Sequence, residues 1–409
     1  YDLFPQLDKP KRVKEQDRLY GAELRSAAAL AIIFFLRMLG LFMLLPVLAL
    51  YSDRLIGATP LLIGAALGIY GLTQASLQIP MGRWSDRIGR KPVIAVGLLV
   101  FTMGGIVAAL TGHILGVLAG RALQGAGAIS GATLALASDL TRPQHRTKVM
   151  VLIGISIGFS FSVAFVLGPV IDAWIGLAGL FWVAAGLGLV AQPILWFAVP
   201  DPKPGAAAPV GDTGITPHRS SPDLLALFVG VFCLHAILAA SFVSIPLLLA
   251  EGIGIESGRH YSIYIPVLIV SLIGVGPMIM LSARAGFGVP LFRIAILCVL
   301  AAELLLWLAP RQPASIGLAL TVFFTGFNFL EASLPSMVSR AAPESGRGAA
   351  LGTYSTAQFI GMFAGGLAGG GLSGALGYPS VFAAAAVIAF AWLVHAILVP
   401  IREYRASDG

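Results

Sequence analysis

Four long apolar segments of this chain each carry one ionisable side chain near the middle: Arg37, Arg121, His235 and Glu331. Charge at the centre of a bilayer is costly, so such residues ordinarily face a water-filled route and act on what passes through it. The carboxyl group is the natural proton carrier. Burial raises its pKa, a neighbouring arginine lowers it, and a guanidinium that moves between states would make Glu331 load and release a proton. His235 titrates near neutral pH unless burial and hydrogen bonding hold it neutral. These four residues are the candidates for proton coupling, against the plainer readings of a structural ion pair for Glu331 and a packing histidine for His235. Arg37 and Arg121 read equally as hosts for an anionic or polar substrate and as holders of carboxylates. The amides of Asn328 and Gln358 need partners at such depth. With Arg37, Arg121 and the aromatic Tyr354 they complete the candidate substrate-binding set. Glu303, His395 and Asp172 stand apart and read as structural or solvated groups.

Other chemistries find little support. The two cysteines, Cys233 and Cys298, lie inside apolar runs and make no disulfide framework or Cys-x-x-Cys metal site. Cys233 and His235 are two apart on a helix and face different ways. Together with Met278 and Met280 they leave a transition-metal importer as a weaker alternative. Glycine-rich stretches lie inside apolar helices rather than after strands, and no nucleotide loop or nucleophile elbow is present. No enzyme, cofactor or metal site is expected.

The elements that position these residues must be membrane helices. Hydrophobic residues make up 57% of the 409 and charged residues 11%, against roughly 25% charged in soluble domains. Twelve apolar spans can be read from 26–50 to 378–400, the fourth, fifth and sixth over 113–139, 146–172 and 178–199. Backbone groups in hydrocarbon must bond internally, so each span is expected to be helical. A stretch over 200–222 with six prolines reads as an extended linker between two sets of six spans. The organisation is therefore a polar tail over 1–25, a six-helix bundle over 26–199, the linker, a second bundle over 223–400 and a tail over 401–409. Of the 26 lysines and arginines, Arg37 and Arg121 fall within spans and Arg54, Arg259 and Arg311 on one side. The rest fall on the other, which the positive-inside rule makes cytoplasmic, with both termini. The net charge of +7 thereby reports orientation in a lipid bilayer rather than affinity for nucleic acid. Gly361, Gly365 and Gly369 recur at four-residue spacing, a stripe that lets another helix approach closely and one half rock against the other.

Between the second and third spans runs Gly82-Arg83-Trp84-Ser85-Asp86-Arg87-Ile88-Gly89-Arg90-Lys91-Pro92-Val93-Ile94. Gly82 reads as the end of one helix, Gly89 as a tight turn, and Arg90-Lys91-Pro92 as the start of the next. A charged cytoplasmic hairpin would need neither the lone Asp86 nor glycines at these places.

The thirteen residues resemble throughout the loop signature of the major facilitator superfamily. Phe35-Leu36-Arg37-Met38-Leu39-Gly40, Gly71-Leu72-Thr73-Gln74-Ala75, Gly120-Arg121-Ala122-Leu123-Gln124-Gly125 and Tyr354-Ser355-Thr356-Ala357-Gln358-Phe359 are similar to the YajR-type transporters of its drug:proton antiporter group. The resemblance implies an all-α membrane fold of twelve helices in two pseudo-symmetric six-helix bundles. It also implies a central cavity lined by spans one, four, seven and ten, the four that carry the lone ionisable residues. It further implies a latch, in which Asp86 sits against the start of the eleventh helix and Arg90 pairs with Asp139. Gly82, Gly89 and Lys91 complete that motif, and the latch would favour an outward-open shape. YajR-type proteins can carry a soluble domain after the last span; its absence is expected here, because the chain stops nine residues beyond Pro400. The antiporter signature of span five survives in Gly168-Pro169, with Asp172-Ala173 in place of a glycine pair.

The function expected is a monomeric secondary transporter of the bacterial inner membrane, exchanging protons for a small amphipathic or polar molecule. A proton-independent facilitator, an importer, and a non-transporting subunit or sensor share the same features.

Overall fold

The computed structural model describes residues 21–201, 222–282, 284, 286–343 and 346–399. The expected tails and most of the expected linker therefore lie outside the described residues. The first half comprises α1 (Gly21–Phe42), α2 (Pro60–Ile88), α3 (Arg90–Ala109), α4 (Ile114–Ala126), α5 (Ser130–Asp139) and α6 (Arg146–Pro193). The second comprises α7 (Pro222–Leu247), α8 (Tyr261–Ser282), α9 (Gly288–Leu308), α10 (Pro313–Ala341), α11 (Arg347–Leu376) and α12 (Pro379–Leu398).

Ten of the described helices are long and apolar enough to cross a membrane. Two features reconcile ten with twelve. α6 is two spans in one, joined at Gly176, where φ is +67°. Span four is broken into α4 and α5 at Gly127-Ala128-Ile129, so neither piece alone is long enough. The break is stabilised by close packing. A side chain on Gly127 would collide with the carbonyl oxygen of Gly97 on α3, and Gly104 and Gly120 are pressed together in the same way. Broken helices persist at membrane depth where protein surrounds them. α1 likewise ends at Phe42 rather than near residue 50. Pro46 cannot donate to a continuing ladder, and the chain passes through turns into one short helical turn, Leu48–Tyr51.

Two sequence expectations need correcting. Gly82 does not end a helix, for α2 continues six residues past it to Ile88, and Gly89 alone, with φ +102°, makes the turn into α3. The stripe Gly361, Gly365 and Gly369 does not contact the other half. It packs on Phe232, Ala236 and Ala240 of α7 in the same half. The contact between halves uses Gly366 and Gly370, one residue on, against Gly64, Gly68 and Pro60 of α2. A helix repeats every 3.6 residues, so glycines on successive turns serve two faces.

The halves also meet at one end of the bundle, opposite the Gly89 turn and called here the far end. Phe161 and Phe165 of α6 pack on Phe242 of α7, Tyr264 of α8 and Phe324 and Phe327 of α10, with ring centroids 4.7 to 6.0 Å apart. Nearer the Gly89 end the Gln78 amide of α2 donates to Thr356 of α11 at 2.8 Å.

Candidate functional site

α7, α10 and α11 bring His235, Glu331 and Gln358 together. The His235 ring donates from Nδ1 to the Val231 carbonyl at 3.1 Å, one helical turn back. That bond leaves the Nε2 lone pair of the neutral ring free to accept. It accepts from the Gln358 amide at 2.7 Å, and the same amide nitrogen donates to Glu331 Oε1 at 3.2 Å. Glu331 Oε2 lies 3.5 Å from His235 Nε2 and has no hydrogen-bond partner. The histidine side chain is 5% exposed and the glutamate 39%. The Tyr354 hydroxyl is buried without a partner in the electrostatic neighbourhood of Glu331. Asn328 is half-buried on α10, three residues before Glu331 and so on the same face.

Phe327, one turn from Glu331 towards the far end, packs edge-on against His235 at 5.9 Å and is stacked on Phe161 of the opposite half. The aromatic layer thus closes the far side of the site.

The two arginines do not join this cluster; the basic group beside Glu331 is His235. Arg37 is fully buried and donates to Gln74 at 2.7 Å, to Ser130 at 3.3 Å and to the Gly127 carbonyl at 3.1 Å. That carbonyl is one the break in span four sets free from its helix. Arg121 donates to the Ala66 and Leu67 carbonyls of α2 at 3.2 and 3.4 Å and to Gln124 at 3.0 Å. Both guanidiniums also lie over the ring of Tyr70. These bonds tie α1, α2, α4 and α5 into one body.

The loop motif is equally well connected. Arg90 opens α3, donates to Ser85 at 2.8 Å, pairs with Asp86, and reaches Asp139 at 3.3 Å. Lys91 donates to the Val199 carbonyl at 2.8 Å and pairs with Asp201 at 3.1 Å. In this conformation Asp86 is turned to Arg90 within its own half. Among the described residues, no three His, Cys, Asp or Glu side chains converge as a metal site requires.

Gln74, Gln78 and Gln124 are functional positions that the sequence does not single out. An amide inside an apolar segment was the available signal, applied only to Asn328 and Gln358.

The sequence pattern of the Major Facilitator Superfamily matches residues 30–366. The inner membrane transport protein YajR of Escherichia coli (strain K12) is 41% identical over 393 residues, spanning 95% of this chain and 86% of YajR. The uncharacterized transporter BU466 of Buchnera aphidicola subsp. Acyrthosiphon pisum is 36% identical over 351 residues, 84% of this chain and 89% of its own. Among solved structures, a bacterial homologue of the human lysosomal transporter Spinster, inward-facing and occupied, superposes with a TM-score of 0.78 at 13% identity, covering 93% of this chain and 97% of that one. A D-xylose–proton symporter gives 0.74 at 13% identity, with the same coverage.

Proposed function

Because the chain belongs to the Major Facilitator Superfamily, and is therefore a multi-pass membrane transporter, we propose that it exports a small amphipathic or polar molecule in exchange for protons by alternating access. The reading takes it as a monomer in a bacterial inner membrane with both termini cytoplasmic. The lysine and arginine distribution supports that orientation, and YajR is an inner membrane protein. Residues 26–199 and 223–400 are the two moving bodies.

The observation that carries the proposal is Glu331: part-exposed, with one oxygen unpartnered, 3.5 Å from the His235 imidazole. The arginines are consumed within the first half, so the charge open to a substrate is this carboxylate. A substrate bearing a hydrogen-bond donor or positive charge competes with the proton for Glu331, and that competition makes exchange obligatory. The aromatic layer supports a state open to the Gly89 end. In the opposite state that end closes, and Asp86 docks on the start of α11.

A thermal-shift screen on the purified protein finds ligands, and flux into proteoliposomes, with and without a pH gradient, tests coupling. Glu331→Gln is expected to abolish gradient-driven flux while leaving substrate exchange. Gradient-driven flux that survives this substitution would refute the assignment. Wild-type flux indifferent to the gradient would identify a facilitator.

A further inference from the structure

Asp172 occupies the place where the antiporter signature has a glycine, and its carboxylate is 8% exposed. One oxygen accepts from the Tyr51 hydroxyl at 2.6 Å, the other from the Ser257 hydroxyl at 3.0 Å. Tyr51 ends the short turn after α1 and belongs to the first half. Ser257 lies in the loop between α7 and α8, in the second half. One carboxylate at the far end is therefore held by a donor from each body.

The supports of this group are local and rigid. Gly176 breaks α6 with a positive φ, which frees the Leu177 N–H to donate to the Tyr51 oxygen at 3.1 Å. The Tyr51 hydroxyl, its lone pair so occupied, is left to donate to Asp172. The Ser257 loop is pinned by Ile255 N–H to the Leu249 carbonyl at 2.9 Å and Arg259 N–H to the Glu256 carbonyl at 2.8 Å. His260 bonds the Ile255 carbonyl at 3.0 Å. Gly258 sits so close to Ala173 that a side chain there would crowd it. A cavity of about 410 Å³, reached by Asp53, Glu251 and Glu256, adjoins the carboxylate. Water from that side can take the place of the Ser257 hydroxyl when the halves part.

We propose that Asp172 is the gate residue of the far end: the Asp172–Ser257 bond holds that end shut, Tyr51 positions the carboxylate, and the bond breaks each time the end opens. The inference rests on the alternating-access reading but not on proton coupling. It requires neither substrate nor gradient to test, so its failure and that of the Glu331 assignment are distinguishable.

The test measures spin-label distances on the full chain in nanodiscs, with Cys233 and Cys298 replaced by serine. One label pair at Leu110 and Leu376 reads the far end, and one at Arg83 and Arg340 reads the Gly89 end; all four positions are exposed. Hydrogen bonds to a charged group are strong enough that losing one should shift the closed-to-open ratio at the far end about tenfold. Asp172→Ala and Ser257→Ala are expected to lengthen the far-end distance and shorten the other, whereas local loosening would leave the second pair unmoved. Asp172→Asn keeps one acceptor and should shift less than Asp172→Ala. Should Asp172→Ala fail to fold, Ser257→Ala alone decides. Wild-type distances at both ends in Ser257→Ala overturn the proposal.

Discussion

His235 Nε2 stands 3.5 Å from the unpartnered oxygen of Glu331, too far for a good hydrogen bond and near enough for each group to feel the charge of the other. On the proton exchange proposed above, ligand binding is expected to release protons. Calorimetric titration in buffers of different ionisation enthalpy measures that release, about one proton per site in the wild type and none in Glu331→Gln. His235→Gln should retain release. A variant of Glu331 that releases protons as the wild type does would remove the carboxylate from the scheme.

Arg37 and Arg121 are fastenings of the first half. Truncating either to alanine removes the guanidinium donor from a buried glutamine oxygen, that of Gln74 or of Gln124, at a cost of about 3 kcal/mol. Arg37→Ala should additionally loosen the break in span four, since the Gly127 carbonyl keeps only the Ile129 N–H as donor. Thermal unfolding in detergent should show both variants melting several degrees lower. Normal melting with lost ligand binding would instead make them substrate contacts.

The glycines of α11 predict a contrast along one helix. A methyl group at Gly365 would strike the Ala236 carbonyl, and at Gly366 that of Gly64, whereas Gly348 and Gly352 face open space. Gly365→Ala and Gly366→Ala should therefore reduce the yield of monodisperse protein severely, and Gly352→Ala should be silent. Fluorescence-detected size exclusion compares the three directly.

Burial, assisted by the Asp172 carboxylate, pushes the Tyr51 phenol up to about 12. The folded protein holds this proton more tightly than the unfolded chain, whose tyrosine titrates near 10. The associated stability is fully present below pH ~10 and is lost as pH rises towards ~12. The difference in tyrosinate absorbance between wild type and Tyr51→Phe should thus appear near pH 12. Its appearance near pH 10 would mean that Tyr51 is free in solution.

The twelve-span plan was legible because hydrophobic length and charge placement are properties of whole segments. The details that escaped depend on which side chains face one another. His235, Glu331 and Gln358 could be named one by one, but their sequence separations carry no sign that they meet. Arg37 and Arg121 read equally as substrate hosts and as holders of carboxylates, because an isolated charge carries no sign of its partners. Only the broken fourth span, with its stray carbonyl, explains what Arg37 is for. Asp172 looked solvated because its partners Tyr51 and Ser257 come from distant loops. The glycine stripe was read on the right helix but one residue off for the contact between halves, since neighbouring positions there face different partners.

Phe327 touches the imidazole of His235 and also closes the stack with Phe161. Whatever settles over that imidazole must lean on the same ring that corks the passage. On the exchange proposed above, cargo that displaces this ring would part the halves and disturb the His235–Glu331 pair in one motion. One phenyl group would thus couple the size of the cargo to the opening of the far end.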